Sequence, residues 1–379
     1  MKRPLVIIGS GHAAYTLIRE FRQRDGNTPI VVLTENGGED YAKPQLSHGF
    51  SGRQAARQFV RETAPQIAAA NKVMVRPHTR VSSIDFDAQI VIAGELRIPY
   101  GQLVLAVGAA PFIPPVSGDG AGKILTLNSL DEYHHYYQAL ENSQHVMVIG
   151  GGLIGTEIAH DLERHRKVTL VDISDRLLPN LVPRSVSERL KQTMKDVDFR
   201  FNTSIKTIHQ ASQALHVTMQ DGESLMVSTI VCAAGLKPRL ELAAGLETNR
   251  GIVVDAMLQT SRPHVYALGD CAEIEGKVMP FLQPITMSAQ ALAKTLTGQP
   301  TAVDFGILTV AVKTPRYPIQ LGGLTAGDHL SWEIQEDEDG VSALALDEGR
   351  YVGYVASGSH NGFHLRKTMM ESSLDFVHV

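Results

Sequence analysis

At 379 residues the chain exceeds the size of one hydrophobic core and predicts two or three domains; its 43% hydrophobic and 20% charged residues exclude disordered, fibrous and disulfide-rich classes. A net charge of −5 with scattered Lys and Arg offers no basic field for nucleic acid, and no apolar run approaches the roughly 18–20 residues of a membrane helix. Lys2 and Arg3 precede only four apolar residues, Leu5 to Ile8, before Gly9, which reads as a first strand rather than a secretion signal, so a cytoplasmic location is expected.

In chain order, PLVIIG, HAAYTLIREFRQ and IVVLTE (ending at Glu35) read as strand, glycine turn, helix and strand, a unit that implies parallel pairing. An irregular stretch from Glu39 to Arg53 precedes a helical pattern from about Arg57 to Asn71, and YGQLVLAVGAAP returns to strand at Leu103 before breaking at Gly108 to Pro111. Pro111, Pro114 and Pro115 stiffen the connector that follows. NSLDEYHHYYQALEN predicts a helix capped at Asn128, and HVMVIG, LIGTEIAHDLERH and KVTLVD then repeat the first scheme, ending at Asp172. Gly9 and Gly150 stand 141 positions apart, a weak internal duplication of fold plan.

TIVCAAGLKP closes the second unit as LVLAVGAAP closed the first. HVYALGDCAE then predicts a strand and turn, and PITMSAQALAKTLTG an amphipathic helix with Ile285, Ala289, Leu292, Ala293 and Leu296 on one face and Gly298 as its stop. From about Asp304, LTVAVKT, LSWEIQ, SALAL and YVGYVASG predict alternating strands before a short C-terminal helix. The expected fold class is α/β, with two Rossmann-like dinucleotide-binding domains and a small α+β C-terminal domain.

The two glycine turns carry the chemistry. Gly150, Gly152 and Gly155 follow a strand and open a helix, so backbone can approach a pyrophosphate at a helix N-terminus. Asp172 lies 20 residues after Gly152, where a carboxylate accepts from a ribose 2′-OH and repels a 2′-phosphate; with Asp175 nearby, NADH is expected over NADPH. The first turn has Gly9, Gly11 and, in third place, Ala14, with Glu35 standing 24 residues beyond Gly11. Two such turns imply two dinucleotides, one resident and one visiting.

The trio GSGHAA, AVGAAP and ALGDCAE, with the inserted GGGLIG, resembles the two-dinucleotide flavoproteins of the pyridine-nucleotide disulfide reductase superfamily, including ferredoxin and rubredoxin reductases, over residues 4 to 300. The resemblance implies FAD at the N-terminal turn, NADH on the inserted domain, and Asp270 on the FAD ribitol, with Ala106, Gly108 and Pro284 among the FAD contacts. The implied division is 1–111 and 238–303 for FAD, 112–237 for NAD, and 304–379 for the C-terminal domain.

Cys232 and Cys271, 39 positions apart, lie in no CxxC or metal-ligand spacing, and YAKPQLSHGF, where disulfide reductases carry a redox cysteine, has none. Electrons are therefore expected to leave the flavin directly. YAKPQLS resembles the flavin-contacting loop of rubredoxin reductases; the resemblance implies contacts from Lys43 and Pro44, and a Lys43–Glu157 pair near the flavin N5 edge as the catalytic groups. A lysine there would stabilise charge on reduced flavin, and the carboxylate would fix its position. The helix after FLQPI, around Pro284 to Met287, would present its positive end to the flavin oxygen.

LSHGFSG, PPVSG, LTLNS, GGGLIGTEIAHDL, FLQPI and VKTP together look like the NADH reductases of flavorubredoxin, electron donors to nitric oxide reduction. Implied partners are flavorubredoxin or rubredoxin and NADH, with no nucleic acid, membrane or metal, and Arg53, Lys313 and Arg316 are expected on a basic docking rim away from the acidic run Glu336 to Asp339. Two alternatives stay open: a standalone rubredoxin reductase serving alkane hydroxylation or oxygen defence, and a flavoprotein resembling apoptosis-inducing factors, whose NADH-driven conformation controls binding.

Overall fold

The structure is a computed structural model that describes residues 3–374, and no helix among them is long and apolar enough to cross a membrane. Seven α-helices occur among the described residues: α1 (His12–Arg22), α2 (Ala64–Asn71), α3 (Leu130–Glu141), α4 (Leu153–Leu162), α5 (Arg184–Thr193), α6 (Leu282–Leu296) and α7 (Gly362–Leu374). The chain divides into two compact units, one of Met1–Ala42, Arg57–Ala110 and Leu236–Gly306, the other of Lys43–Ala56, Pro111–Gly235 and Ile307–Val379.

The first unit is built on a parallel sheet in the spatial order Val265–Ala267, Gln102–Leu105, Leu5–Ile8, Ile30–Leu33, Met74–Arg76. Leu5–Ile8 is apolar and buried at every position, as a central parallel strand covered on both faces must be. Helix α1 turns Ala13, Ala14, Tyr15, Leu17, Ile18 and Phe21 into this core, and α6 packs beside it with the expected face of Ile285, Ala289, Leu292, Ala293 and Leu296 buried. Gly298 sits at φ +92, a left-handed position that lets the chain leave the helix end.

The expected helix from Arg57 to Asn71 is instead three elements. A short 3-10 turn at Ala56–Phe59 leads into the strand Val60–Glu62, which pairs antiparallel with Asp40–Tyr41, and only then does α2 begin. Two local causes are visible. Gln66 Oε1 accepts the Thr63 backbone N–H at 2.8 Å in a capping box that starts the helix there, and Arg19 bridges Asp40 and Glu62, at 2.6 Å each, across the two strands.

The second unit holds a four-stranded parallel sheet in the order Val197–Arg200, Lys167–Val171, His145–Ile149, Thr229–Cys232, beside an antiparallel meander of Ile205–Ala211, Ala214–Met219 and Ser224–Val227. The cap of α3 is Ser129 rather than Asn128: Ser129 Oγ accepts the Glu132 N–H at 3.1 Å, and the Glu132 carboxylate accepts the Asn128 N–H at 2.7 Å. His134 and His135 lie exposed on α3, and no cluster of three potential metal ligands exists among the described residues.

The tail is a five-stranded antiparallel sheet in the order Thr309–Val312, Ile319–Gly323, Arg350–Gly358, Gly340–Asp347, Ser331–Glu336, with α7 against it. Ile319–Gly323, beginning after Pro318 and ending in two glycines, was not expected as a strand; pairing on both sides makes it one. Ser331–Glu336 shows no alternation of burial, because it is an edge strand exposed along most of its length.

Candidate functional site

Each unit presents a glycine turn, and the two can be built separately. In the first, Gly9 adopts φ +115, and a side chain there would run into the Ala106 carbonyl oxygen of the neighbouring strand end. Gly11 caps α1 from an extended conformation with no side-chain hydrogen bond, and the space a side chain would occupy at Gly11 is empty. Uncapped N–H groups behind an open cradle suit a pyrophosphate.

Ala14 is fully buried one turn into α1, and Ala106 donates its N–H to the Ile8 carbonyl at 2.8 Å, keeping the two strand ends together. Gly108 adopts φ +69, and its carbonyl accepts the Arg239 N–H at 3.1 Å. Glu35 lies two residues past its strand, half-exposed and ion-paired to Arg239 at 3.2 Å.

Asp270 follows Gly269, whose φ of +84 and close approach to Ala13 bring the chain against the start of α1. There its charge acts on His12, which sequence reasoning missed. The His12 ring bonds Thr286 Oγ1 at 3.2 Å, joining the first residue of α1 to the second turn of α6, just past the first turn, where Pro284 is buried and the Phe281 cap leaves the N–H groups without a side-chain acceptor. Burial lowers the His12 pKa, with Asp40 opposing, which favours the neutral ring. Two helix N-termini and a carboxylate thus gather in one place; the N–H groups fit the diphosphate and ring oxygen of FAD as donors, and the carboxylate fits the ribitol hydroxyls as acceptor.

In the second unit Gly150 takes φ +106 against the Ala233 carbonyl, Gly152 caps α4 with open space in front of it, and a side chain at Gly155 would strike the Gly150 carbonyl oxygen. Asp172 lies at the end of its strand as expected: Oδ2 accepts the Gly151 N–H, and Oδ1 accepts the Ser174 N–H at 2.6 Å. The carboxylate therefore sits over the turn, where a ribose diol would meet it.

Beyond its first turn, α4 carries buried polar side chains. Glu157 is fully buried; Oε2 accepts from the Ser47 hydroxyl at 2.8 Å and lies 3.4 Å from His48 Nε2, while Oε1 accepts the Lys313 backbone N–H at 2.9 Å. Glu157 thus meets the Lys43 segment through Ser47, four residues on, within the 3-10 helix Lys43–His48. Lys313 Nζ donates to the Pro44 carbonyl. Asp161 accepts the Ser51 N–H at 3.2 Å, and burial raises its pKa.

Arg316 pairs with buried Glu163 and donates Nε to His160 Nε2 at 3.2 Å. Burial, and then Arg316, His48 and Arg164, bring the His160 pKa down to about 4. Arg316 thereby braces two polar groups at the end of α4 while its own residue stays exposed, as Arg53 is. Neither cysteine is in a disulfide; burial pushes the Cys271 thiol up to about 11 and raises Cys232, so neither offers a thiolate near neutral pH.

Comparison with known proteins agrees with this geometry. Residues 3–294 match the family described as pyridine nucleotide-disulphide oxidoreductase, and residues 302–370 match the rubredoxin binding C-terminal domain. A nitric oxide reductase FlRd-NAD(+) reductase of Aliivibrio fischeri is 46% identical over 96% of this chain and 98% of its own length. A rubredoxin-NAD(+) reductase of Alcanivorax borkumensis is 40% identical over 94% of this chain and 95% of its own. Among solved structures, a ferredoxin reductase from Rhodopseudomonas palustris superposes with a TM-score of 0.86 at 26% identity, over 94% of this chain and 91% of that one.

Proposed function

Because the chain belongs to the pyridine nucleotide-disulphide oxidoreductase family, we propose that it is an FAD-dependent NADH oxidoreductase passing electrons to the rubredoxin iron centre of flavorubredoxin, in support of nitric oxide reduction. The observation that carries this reading is the rubredoxin-binding domain at 302–370, on a chain whose two dinucleotide turns precede it. One NADH and two ferric centres yield NAD+, a proton and two ferrous centres. FAD, when bound, supplies the conversion of a two-electron hydride into two single-electron transfers.

The chain's own residues bind and orient. We assign Gly9, Gly11, Ala14, Glu35, Ala106, Gly108, Asp270 and Pro284 to FAD, with His12 added as the link between the two helix starts. Gly150, Gly152, Gly155 and Asp172 are assigned to NADH. Lys43 and Pro44 are assigned to the flavin-facing segment, Lys43 as the cation that compensates charge there. Glu157 then positions that segment through Ser47. Without an available thiolate, no disulfide relay intervenes. Two buried cysteines outside disulfides suit a reducing compartment, and we place the protein in the cytoplasm.

The test is anaerobic mixing of holoenzyme, NADH and a flavorubredoxin or rubredoxin, following bleaching of the ferric iron–thiolate absorbance. NADH-dependent bleaching within turnover times is expected; a flavin that reduces while the iron stays oxidised would overturn the acceptor. Similarity to a rubredoxin-NAD(+) reductase supports a second reading in which a free rubredoxin is the partner, and relative kcat/KM for the two acceptors separates them.

A further inference from the structure

The segment between the strand Lys167–Val171 and α5 folds back over the second glycine turn. Asp172 takes the Gly151 N–H, and the Gly151 carbonyl accepts the Leu178 N–H at 2.8 Å, so residues 173–177 are tethered beside the turn at both ends. Within that segment stands Asp175, whose carboxylate is gripped from two sides. Arg176 Nη1 lies 3.0 Å from Oδ1, and Arg184 Nη2, from the first residue of α5, reaches Oδ2. The two guanidinium groups hold the Asp175 carboxyl below the usual range. Arg176 also donates to the Pro179 carbonyl at 3.2 Å, and Arg184 has a looser contact with Glu188 at 3.8 Å.

The chain therefore carries, next to an acid suited to a ribose diol, two arginines of the kind that bind a 2′-phosphate through forked, charge-assisted hydrogen bonds. We propose that Asp175 is a specificity-determining residue for the choice between NADH and NADPH, a positioning residue that sequesters Arg176 and Arg184 from the place a 2′-phosphate would take. The inference rests on the reading of this turn as the NADH site. Two acids then discriminate by different means. Asp172 repels the extra phosphate directly, and Asp175 withholds the cations that would compensate for it. Loss of Asp175 leaves Arg184 only the distant Glu188 contact and leaves Arg176 its single carbonyl bond, freeing most of their donors.

The experiment compares wild-type holoenzyme with Asp175→Ser, Asp175→Asn, and Asp175→Ser combined with Arg176→Ala and Arg184→Ala. It reads kcat/KM for NADH and NADPH with ferricyanide as acceptor and, without turnover, calorimetric binding of 2′,5′-ADP against ADP. Both single variants are expected to raise kcat/KM for NADPH by about tenfold, the worth of one charge-assisted hydrogen bond. The gain should enter through KM rather than kcat, and 2′,5′-ADP should gain more than ADP. Removing the arginines should abolish it. A gain that survives without them would mean that loss of a negative charge suffices, and absence of any gain would mean that the arginines are not in reach; either overturns sequestration. A wild-type enzyme inert to NADH would instead overturn the reading of the turn, and this proposal with it.

Discussion

Gly155 and Ala14 hold the same place in two copies of one motif, and backbone spacing sets the difference. In the second turn the Gly150 carbonyl oxygen fills the space a side chain at 155 would need, whereas the first turn buries the Ala14 methyl group. Gly155→Ala should push α4 off its turn and lower NADH affinity at least tenfold, measured as KM for ferricyanide reduction, while Ala14→Gly should leave it within twofold. Glu157 allows a sharper separation. Glu157→Gln can still accept the Lys313 N–H and donate to Ser47, so its thermal midpoint should stay near that of wild type while electron transfer slows. Glu157→Ala leaves both donors unsatisfied, at about 1–3 kcal/mol each, and should unfold several degrees lower. Equal midpoints for the two variants would show that the hydrogen bonds carry no stability. The glycines and Asp172 were legible because their spacing is local; His12 was not, because its bond to Thr286 spans 274 residues.

At the scale of elements, α4 has two jobs divided along its length. Its first turn and the loop before it carry the glycines assigned above to NADH, and its later turns hold the segments 43–56 and 313–317 through Glu157, His160, Asp161 and Glu163. From sequence, α4 was legible as a helix after a glycine turn, but its inward polar row was not, since nothing local says what covers it. The same limit applies to Val60–Glu62 and Ile319–Gly323, short strands defined by distant partners rather than by pattern. The parallel strands stood out because burial on both faces demands unbroken apolar runs. His160 gives this packing a pH signature. Its folded pKa, about 4, lies below the unfolded value of 6.5, so the unfolded chain binds more protons between them and stability falls as pH drops through that window. Asp161, raised by burial, works in the opposite sense near the lower end. His160→Gln keeps an acceptor for Arg316 but cannot titrate; its thermal midpoint should decline less than that of wild type between pH 6.5 and 4. Parallel curves would remove His160 from the account.

The whole molecule carries a net charge of −5, so electrostatic attraction of a rubredoxin-type partner through an acidic face would rely on local cations rather than on the overall field. The sequence puts Arg53, Lys313 and Arg316 on one basic rim, and all three are exposed, but Arg316 is already engaged by Glu163 and His160 and Lys313 by the Pro44 carbonyl, whereas Arg53 stands at a left-handed position of φ +48. Arg316→Ala would strand a buried carboxylate and should cost about 3 kcal/mol, the low end for a buried pair since Arg316 is itself partly exposed. The effect should appear as a lower thermal midpoint under all salt conditions, because a buried pair is poorly screened. Arg53→Ala should leave the midpoint unchanged, raise KM for rubredoxin a few-fold at low ionic strength, and flatten the dependence of rubredoxin reduction on salt. Ferricyanide reduction by NADH, which needs no docked protein, serves as the control for both. If Arg53→Ala altered neither KM nor the salt slope, docking would have to use other cations, such as exposed lysines and arginines of the rubredoxin-binding domain itself.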